Sequence, residues 1–293
     1  MEIKIVKSNS PGSGCTLTSL AIVRQQILKN QKVAYLSYDS QELGYIQSWM
    51  TEDNFKAFGA VDCDYTSLVN SEIDLLVVDL GVTNELDDSL SGIASETIYV
   101  HNCSAGFPIT SEEVNSGSNT KLLLNKVPEY KNTELEQYLN SSDTNTAGIL
   151  GVINEDRYLN GLSFAEILEA VKGYVIDGSV DSTPYVERFL IGGNIMDSGE
   201  GYFARYDHQA VVTRGGRPDI QMSSIMNGTK CLILTGSVKP TEYIISEARK
   251  HSVPMISVEV STEETIALLS VAFGDKPACA ERIDRFVQLL DAN

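Results

Sequence analysis

The sequence predicts an α/β protein in which a doubly wound, mostly parallel sheet is followed by a smaller α/β domain. Segments with strand and helix patterns alternate about six times over residues 1–175, which is typical of parallel sheets built from βαβ units. Near-continuous apolar runs at 73–80 and 121–127 are typical of strands covered on both faces. We expect domains at residues 1–176 and 184–293, joined by a polar linker.

Composition excludes several classes of function. The net charge of -18 over 293 residues disfavours nucleic acid and anionic membranes as partners, because phosphate groups need a basic surface. Five cysteines without a CxxC pair, together with three scattered histidines, predict neither a disulfide framework nor a zinc site. The chain opens directly into a strand, and it has no signal-peptide pattern and no membrane-length apolar run. We therefore expect a cytoplasmic protein.

The first predicted unit comprises a strand at 3–6, a glycine- and serine-rich loop at 8–16, a helix and a strand at 33–38. Apolar residues at helical spacing after the loop predict that one helix face packs against the sheet. A glycine turn of this kind points backbone N–H groups towards an anion. A plain tight turn that binds nothing is an equally good interpretation of the loop alone.

The remaining elements follow in chain order. A helix is expected around 46–58, containing the only tryptophan, Trp49. Capping-box patterns begin helices at Thr110, Ser163 and Ser261, where Glu stands three residues later. Further strands are expected at 97–100, 147–153, 186–191, 210–213, 231–235 and 253–258, and further helices at 240–250 and 278–291.

The carboxyl ends of parallel strands meet at one edge of a sheet, where open α/β folds bind ligands. The expected site therefore gathers the loop at 8–16 with Asp39, Asp79 and Asn125. Each has another interpretation: the two aspartates can cap helices or lie in solvent, and Asn125 can hold a turn through its side chain.

The loop resembles a phosphate-binding P-loop that has lost key residues. Aligned on Gly14 and Thr16, the pattern requires Gly at position 9 and Lys at position 15, where this chain has Asn9 and Cys15. The lysine that contacts the β- and γ-phosphates is therefore missing. A thiol at a helix N-terminus can be a nucleophile. Because no histidine lies near Cys15 in the sequence, a simple replacement of lysine is the better interpretation.

Four segments in order resemble the P-loop ATPase superfamily of partition and septum-site ATPases, dethiobiotin synthetase and cobyrinic acid a,c-diamide synthase. They are the loop at 8–16, YDSQ at 38–41, LLVVDLG at 75–81 and LLLNKVP at 122–128. The resemblance implies ATP or ADP with Mg²⁺ as cofactors. If the loop no longer admits phosphate, we expect no cofactor.

The same resemblance assigns roles to residues of this chain. Thr16 and Asp79 would bind Mg²⁺, Asp39 would bind the metal or its water, and Asn125 would lie near a purine. The nucleotide site would be completed by Gly12, Ser13, Gly14 and Cys15. The chain departs from the family at Ser10 and Cys15, where lysines are expected, and at Ser37, where partition ATPases have an aspartate.

The second half resembles the DRTGG domain. The segments GGRPDI at 215–220, CLILTGS at 231–237 and VPMISVEVSTEET at 253–265 match its blocks, with Gly216 and Ser237 replacing an aspartate and a glycine. The resemblance implies a small-anion site at the strand ends. Its candidate residues are Arg217, Asp219, Thr235 and Gly236. Alternatively, Arg217 and Asp219 form a local ion pair and the glycines only make turns.

Residues 147–173 resemble the segment between these two domains in the non-catalytic N-terminal half of long bacterial phosphotransacetylases. The resemblance covers nearly the whole chain, and the catalytic acetyltransferase domain does not occur within it. It implies, as a partner, an enzyme of acetate or acyl-phosphate metabolism. The resemblances to the P-loop ATPase superfamily and to the DRTGG domain imply a homodimer.

We expect a regulatory or ligand-sensing protein that binds a small-molecule nucleotide or anion, with weak or absent ATPase activity. The alternative is an ATP-dependent carboxylate-activating enzyme of the dethiobiotin or cobyrinate type, in which Lys7 or Lys126 replaces the missing lysine. A partition-type ATPase acting on DNA or membrane is a third possibility, which the acidic charge disfavours.

Overall fold

The computed structural model forms two compact units, of which the first comprises Met1–Leu159 and Pro277–Asn293 and the second Asn160–Lys276. The structure describes residues 1–8, 10–39, 43–44, 46–47, 50–60, 72–82, 94–107, 119–141, 148–178, 186–193, 199–274, 276 and 278–292. Among the helices in these ranges, none combines the length and apolarity needed to cross a membrane.

The first unit is built on a sheet of seven parallel strands in the spatial order β3-β2-β4-β1-β5-β6-β7. The strands are β1 (Glu2–Lys7), β2 (Val33–Ser37), β3 (Phe55–Gly59), β4 (Leu75–Gly81), β5 (Glu96–Asn102), β6 (Thr120–Val127) and β7 (Ile149–Asn154). Helices of the unit within the described residues include α1 (Cys15–Leu28) and α2 (Asn132–Leu139), and a 3-10 turn, Glu129–Lys131, precedes α2.

The second unit contains a smaller sheet of five strands in the order β8-β12-β11-β10-β9, in which only β8 is antiparallel to its neighbour. Its elements, after the junction helix α3 (Arg157–Asn160), are α4 (Phe164–Ala170), β8 (Tyr174–Asp177), β9 (Arg188–Gly192), α5 (Glu200–Phe203), β10 (Gln209–Arg214), α6 (Pro218–Met226), β11 (Cys231–Thr235), α7 (Glu242–Lys250), β12 (Met255–Val258) and α8 (Thr262–Gly274). The last helix, α9 (Ala280–Asp291), follows.

Alternating side chains cover both faces of the seven-stranded sheet, as strands with a period of two require. On one face, Val6 and Val77 share a core with residues of α1 and α9. On the other face, Leu122 and Leu124 pack with Leu135 of α2. The predicted fold class, a doubly wound parallel sheet followed by a smaller α/β unit, is confirmed.

The prediction of a helix over 46–58 is wrong for its last residues. Phe55–Gly59 is strand β3, which pairs in parallel with β2. Buried Phe55 is followed by exposed Lys56, and a run of five residues is too short to reveal this period beside a helical pattern. Trp49 and the capping box predicted at Thr110 lie outside the described residues.

The compact units divide the chain at other residues than the predicted domains. Residues 160–176, which were predicted to end the first domain, belong to the second unit. Leu162 pairs with Val186, and Phe164 is fully buried in that unit's core. At the other end, Ile283 and Phe286 of α9 are buried in the core of the first unit.

Both capping boxes within the described residues, at Ser163 and Ser261, are confirmed by reciprocal hydrogen bonds.

Candidate functional site

The loop between β1 and α1, residues 10–14, is called the glycine loop below. Gly14 ends the loop and caps α1 with a φ of 91°, in the left-handed region where side chains cause strain. A Cβ atom at Gly14 would lie 2.5 Å from Nδ2 of Asn125. Both the backbone angle and the close approach of Asn125 therefore require glycine here.

Asp79 lies near the end of β4, with Val6 of β1 and Ser37 of β2 as its neighbours in the sheet. Its side chain is buried and accepts hydrogen bonds at both carboxylate oxygens. Cys15 Sγ donates to Oδ1 over 3.2 Å, and the N–H of Gly81 donates to the same oxygen over 3.0 Å. The hydroxyl of Tyr35 donates to Oδ2 over 3.0 Å.

Cys15, Tyr35 and Gly81 thus donate to Asp79, the carboxylate that the family resemblance assigned to Mg²⁺; these residues are called the Asp79 cluster below. Magnesium binds carboxylate oxygens directly or through its waters. Three donors already bind the two oxygens of Asp79, so a metal ion bound directly would share Oδ2 with Tyr35 or displace one of the donors. The described contacts therefore oppose direct coordination of Mg²⁺ by Asp79.

Sequence reasoning did not identify Tyr35 as part of this arrangement. Tyr35 lies opposite Val77 in the register of β2 and β4, so its side chain emerges on the same sheet face as Asp79 two residues later. Its ring is completely buried. The signal in the sequence is a hydroxyl-bearing aromatic within an otherwise apolar strand, but its partner depends on which strands are neighbours.

Asn125 braces the glycine loop from β6. Its Nδ2 donates to the carbonyl of Ser13 over 2.7 Å, and its Oδ1 accepts from the N–H of Lys126 over 2.9 Å. This is the turn-holding role that the sequence left open, with the loop of α1 as the partner. Burial lowers the pKa of Lys126, and the charge of Glu155 opposes that shift.

The other two residues expected in this site, Asp39 and Thr16, are more accessible to solvent than Asp79. Asp39 is exposed just after β2, and its backbone N–H binds Oγ of Ser37 over 3.0 Å. Thr16 is half-buried in the first turn of α1. The described contacts thus bring together Cys15, Asp79 and Tyr35, and separately Ser13 with Asn125.

In the second unit, Arg217 and Asp219 form the local ion pair that the sequence offered as an alternative to an anion site. Nε of Arg217 lies 2.9 Å from Oδ1 of Asp219, and a terminal nitrogen lies 2.8 Å from Oδ2. This two-pronged hydrogen bond from Arg217 lowers the pKa of Asp219. The guanidinium is therefore already engaged by a carboxylate of its own loop.

Thr235 and Gly236, at the end of β11, form part of the neighbouring loop. The Oγ1 atoms of Thr235 and Thr262 lie 2.8 Å apart, which ties the end of β11 to the start of α8. Gly236 and Ser237 both have positive φ, of 86° and 55°. At Gly215 a Cβ atom would lie only 2.0 Å from the carbonyl oxygen of Val238, so the two loops cross in backbone contact.

Two buried polar atoms lie beside this crossing. Gln221 donates from Nε2 to the carbonyls of Arg214 and Gly215, over 3.0 and 2.9 Å, while its Oε1 has no hydrogen-bond partner among the described residues. Oγ1 of Thr213, near the end of β10, also has none in that part of the chain. Both side chains are essentially inaccessible to solvent. Buried polar groups are normally paired with protein, water or a ligand.

Most of the second unit matches the model of a known family. Residues 166–272 match the model of the DRTGG domain. This segment of the chain is a DRTGG domain. Its boundaries lie within the compact second unit, so the domain includes α4 and β8 and excludes α9.

Solved structures offer more distant likenesses. The CBS and DRTGG domains of the regulatory region of Clostridium perfringens pyrophosphatase, complexed with the activator diadenosine tetraphosphate, are 18% identical over 36% of this chain, with a TM-score of 0.32. The match spans 45% of that protein's chain. The MinD cell division protein of Aquifex aeolicus is 17% identical over 54% of this chain and 84% of its own, with a TM-score of 0.41. At such TM-scores these likenesses carry no argument about ligand or activity.

Within the DRTGG domain, the crossed loops thus combine glycine-rich backbone with buried polar atoms that lack partners. The amide oxygen of Gln221 can accept a hydrogen bond, and the hydroxyl of Thr213 can donate or accept one. The guanidinium of Arg217, by contrast, is engaged by Asp219.

Proposed function

We propose that this protein is a ligand-sensing regulatory protein, in which a DRTGG domain is joined to a P-loop-like unit with a degenerate nucleotide site. One observation carries the proposal. Asp79, the carboxylate that a P-loop ATPase would use at its metal, is held by Cys15, Tyr35 and the backbone of Gly81. The first unit keeps the loop and helix that bind phosphate in such enzymes, without the charges that drive phosphoryl transfer.

Phosphoryl transfer depends on positioning and on neutralising the developing charge. In this chain Cys15 stands where the pattern requires lysine, so one cation is missing. A hydrogen bond to a charged group contributes about 1.5–3 kcal/mol, so displacing the donors at Asp79 opposes binding of the second cation, Mg²⁺. Weak or absent ATPase activity follows from the two losses together.

The family resemblance supports the regulatory part of the proposal. The order of a P-loop-like unit and a DRTGG domain is that of the non-catalytic half of long bacterial phosphotransacetylases. By this analogy the protein acts in the cytoplasm as a homodimer, binds a nucleotide or small anion, and regulates an enzyme of acetate or acyl-phosphate metabolism. Sedimentation velocity tests the dimer, and a monomer at micromolar concentration would contradict that part.

A second candidate is an ATP-dependent carboxylate-activating enzyme. One observation favours it: Lys126 directly follows Asn125, whose amide lies 2.7 Å from the carbonyl of Ser13 in the glycine loop. Burial lowers the pKa of Lys126, which counts against this candidate, because a replacement for the P-loop lysine must carry a positive charge. In this reading Lys126 replaces the missing lysine.

The two candidates differ in turnover. We expect the purified protein to release no ADP above background from ATP and Mg²⁺, with or without dicarboxylate or diamine substrates. Cys15→Lys restores the pattern lysine, and Cys15→Ser is its matched control without a cation. Turnover at ordinary enzyme rates that is lost in Thr16→Ala and Lys126→Ala would overturn the regulatory proposal and establish the enzyme.

A further inference from the structure

The DRTGG unit is inserted into the first unit. Residues 160–276 lie between two segments that both belong to the first unit, Met1–Leu159 and Pro277–Asn293. The chain therefore crosses between the units twice, once after Leu159 and once before α9. When a domain is attached at both ends, a change in the distance between its two ends moves both attachment points in the unit that contains it. A domain on a single linker can change shape without moving a second attachment point.

The second crossing ends in a helix that is firmly packed. Ile283, Phe286 and Val287 of α9 are buried in the core that also contains Leu20 and Val23 of α1. Burial of a side chain of this size contributes about 1.5–3 kcal/mol. α1 is the helix that begins at the glycine loop, so α9 packs on the element that positions Cys15 against Asp79.

Polar contacts fix the register of α9 on α1. Nε of Arg24 lies 3.0 Å from Oδ1 of Asp284, and Nε2 of Gln25 lies 2.6 Å from Oδ1 of Asp291. Asp284 lies about one turn and Asp291 about three turns after the start of α9, so the pairs hold its first half and its end. Individually, such partly exposed pairs contribute little, about 0.2–1 kcal/mol.

A further ion pair joins the two crossings to each other. Nε and a terminal nitrogen of Arg285, on α9, lie 3.0 and 2.6 Å from Oδ2 of Asp156, just before α3. The other oxygen of Asp156 accepts from the N–H of Leu159 over 3.0 Å, which holds the first turn of α3. One half-buried carboxylate thus fixes the start of the outgoing crossing and binds the helix of the returning one.

We propose that α9 and the Asp156–Arg285 pair form a coupling junction, through which the state of the DRTGG domain changes the order of α1 and the glycine loop. The element with two states is α9, docked on α1 or released from it. The inference rests on the proposed regulatory function, because the junction would serve to transmit regulation. Its physical basis is that the DRTGG domain is inserted into the first unit. Coupling of this kind acts in both directions.

The test is hydrogen exchange of the full chain without ligand. Arg285→Gln removes the charge at the junction, and Asp156→Asn keeps an oxygen that can hold α3 while weakening the pair. We expect both variants to raise exchange about threefold to tenfold in α9 and in the first two turns of α1. Arg249→Gln breaks a comparable exposed pair with Asp177 inside the DRTGG domain and is the matched control.

The reverse direction uses Ile233→Val, a mild change in the core of the DRTGG domain. We expect faster exchange in α9 and α1 as well as in the domain itself. Faster exchange confined to the DRTGG domain, or an α9 released by Arg285→Gln while α1 is unchanged, would overturn the junction. Because no ligand is added, failure to find a ligand for the domain does not affect this result.

Discussion

The glycine loop of the first unit and the crossed loops of the DRTGG domain occupy equivalent positions, at the carboxyl edges of parallel strands, yet they use their polar groups differently. In the first unit, Asp79 accepts hydrogen bonds from α1 and from the neighbouring strand β2, and Asn125 donates one to the glycine loop. In the DRTGG domain, Gln221 and Thr213 keep one buried polar atom each without a partner among the described residues.

The difference teaches that glycine-rich strand ends do not by themselves make a ligand site. A loop whose polar neighbours are already satisfied gains little from a ligand, because each new hydrogen bond replaces an existing one. A loop with unsatisfied buried atoms gains more, because an unpaired group costs about 1–3 kcal/mol until it finds a partner.

The largest expected effect tests the backbone contact of the crossed loops. Gly215→Ala brings a Cβ atom to 2.0 Å from the carbonyl oxygen of Val238, and we expect a loss of about 3 kcal/mol in the free energy of unfolding. Gly216→Ala is the matched control, since a Cβ there meets nothing within 4 Å, and it should change stability by about 0.5 kcal/mol or less. Urea unfolding followed by circular dichroism measures both; equal costs would show that the loops do not cross as described.

The second effect tests whether Asp79 depends on its protein donors. Tyr35→Phe removes one hydroxyl from a buried carboxylate, and we expect a loss of about 1.5–3 kcal/mol in the free energy of unfolding. Tyr130→Phe, whose hydroxyl belongs to a side chain that is 80% exposed, is the control in the same unit. If Tyr35→Phe costs no more than Tyr130→Phe, the carboxylate is satisfied by other groups and the closed-site account fails.

A third prediction distinguishes paired from unpaired hydroxyls in the DRTGG domain. Thr235→Val breaks the 2.8 Å contact with Thr262 and should cost about 1 kcal/mol. Thr213→Val removes a hydroxyl without a partner among the described residues, so in the ligand-free protein it should be neutral or stabilise by up to about 1 kcal/mol. Thermal unfolding of the two variants side by side measures the contrast. A larger loss for Thr213→Val would mean that a buried water or a copurified ligand already binds this hydroxyl.

The smallest effect concerns the exposed Arg217–Asp219 pair. Hydrogen bonding from Arg217 lowers the pKa of Asp219, so the stability that the pair contributes is present above the ordinary carboxyl pKa of about 3.9 and is lost as the pH falls through the lowered value. Solvent screening limits the contribution to about 0.5 kcal/mol. Asp219→Asn should therefore lower stability slightly at pH 7, and the difference should disappear as the pH falls through the lowered pKa of Asp219. A gain in affinity for inorganic phosphate in this variant would show that Asp219 masks an anion site.

The fold class and most of the strands follow from the sequence because long apolar runs indicate burial directly, whereas the short strands β3 and β8 were not predicted. Residues that act through contacts between strands do not follow from the sequence in this way. The partnership of Tyr35 with Asp79 depends on β2 lying beside β4, which no local pattern specifies. Likewise, the amphipathic pattern at 278–291 predicts a helix, but not that Phe286 is buried in the first unit rather than in the domain it follows.

The candidate site was partly predictable for the same reason. The convergence of Cys15, Asp79 and Asn125 follows from parallel strands ending at one edge. Whether Asn125 faces a ligand or holds the loop depends on distances of a few tenths of an ångström at Gly14, which only the folded chain defines.

The most direct test of the account is a thermal-shift titration of the wild-type protein with ATP, ADP, GTP and AMP, each with and without Mg²⁺. Ligands that bind only the native state raise the unfolding midpoint by mass action. Because Asp79 is held by Cys15, Tyr35 and Gly81, we predict that Mg²⁺ adds nothing to the response to any nucleotide. A Mg²⁺-dependent rise that disappears in Thr16→Ala and Asp79→Asn would contradict the account and establish a working nucleotide site in the first unit.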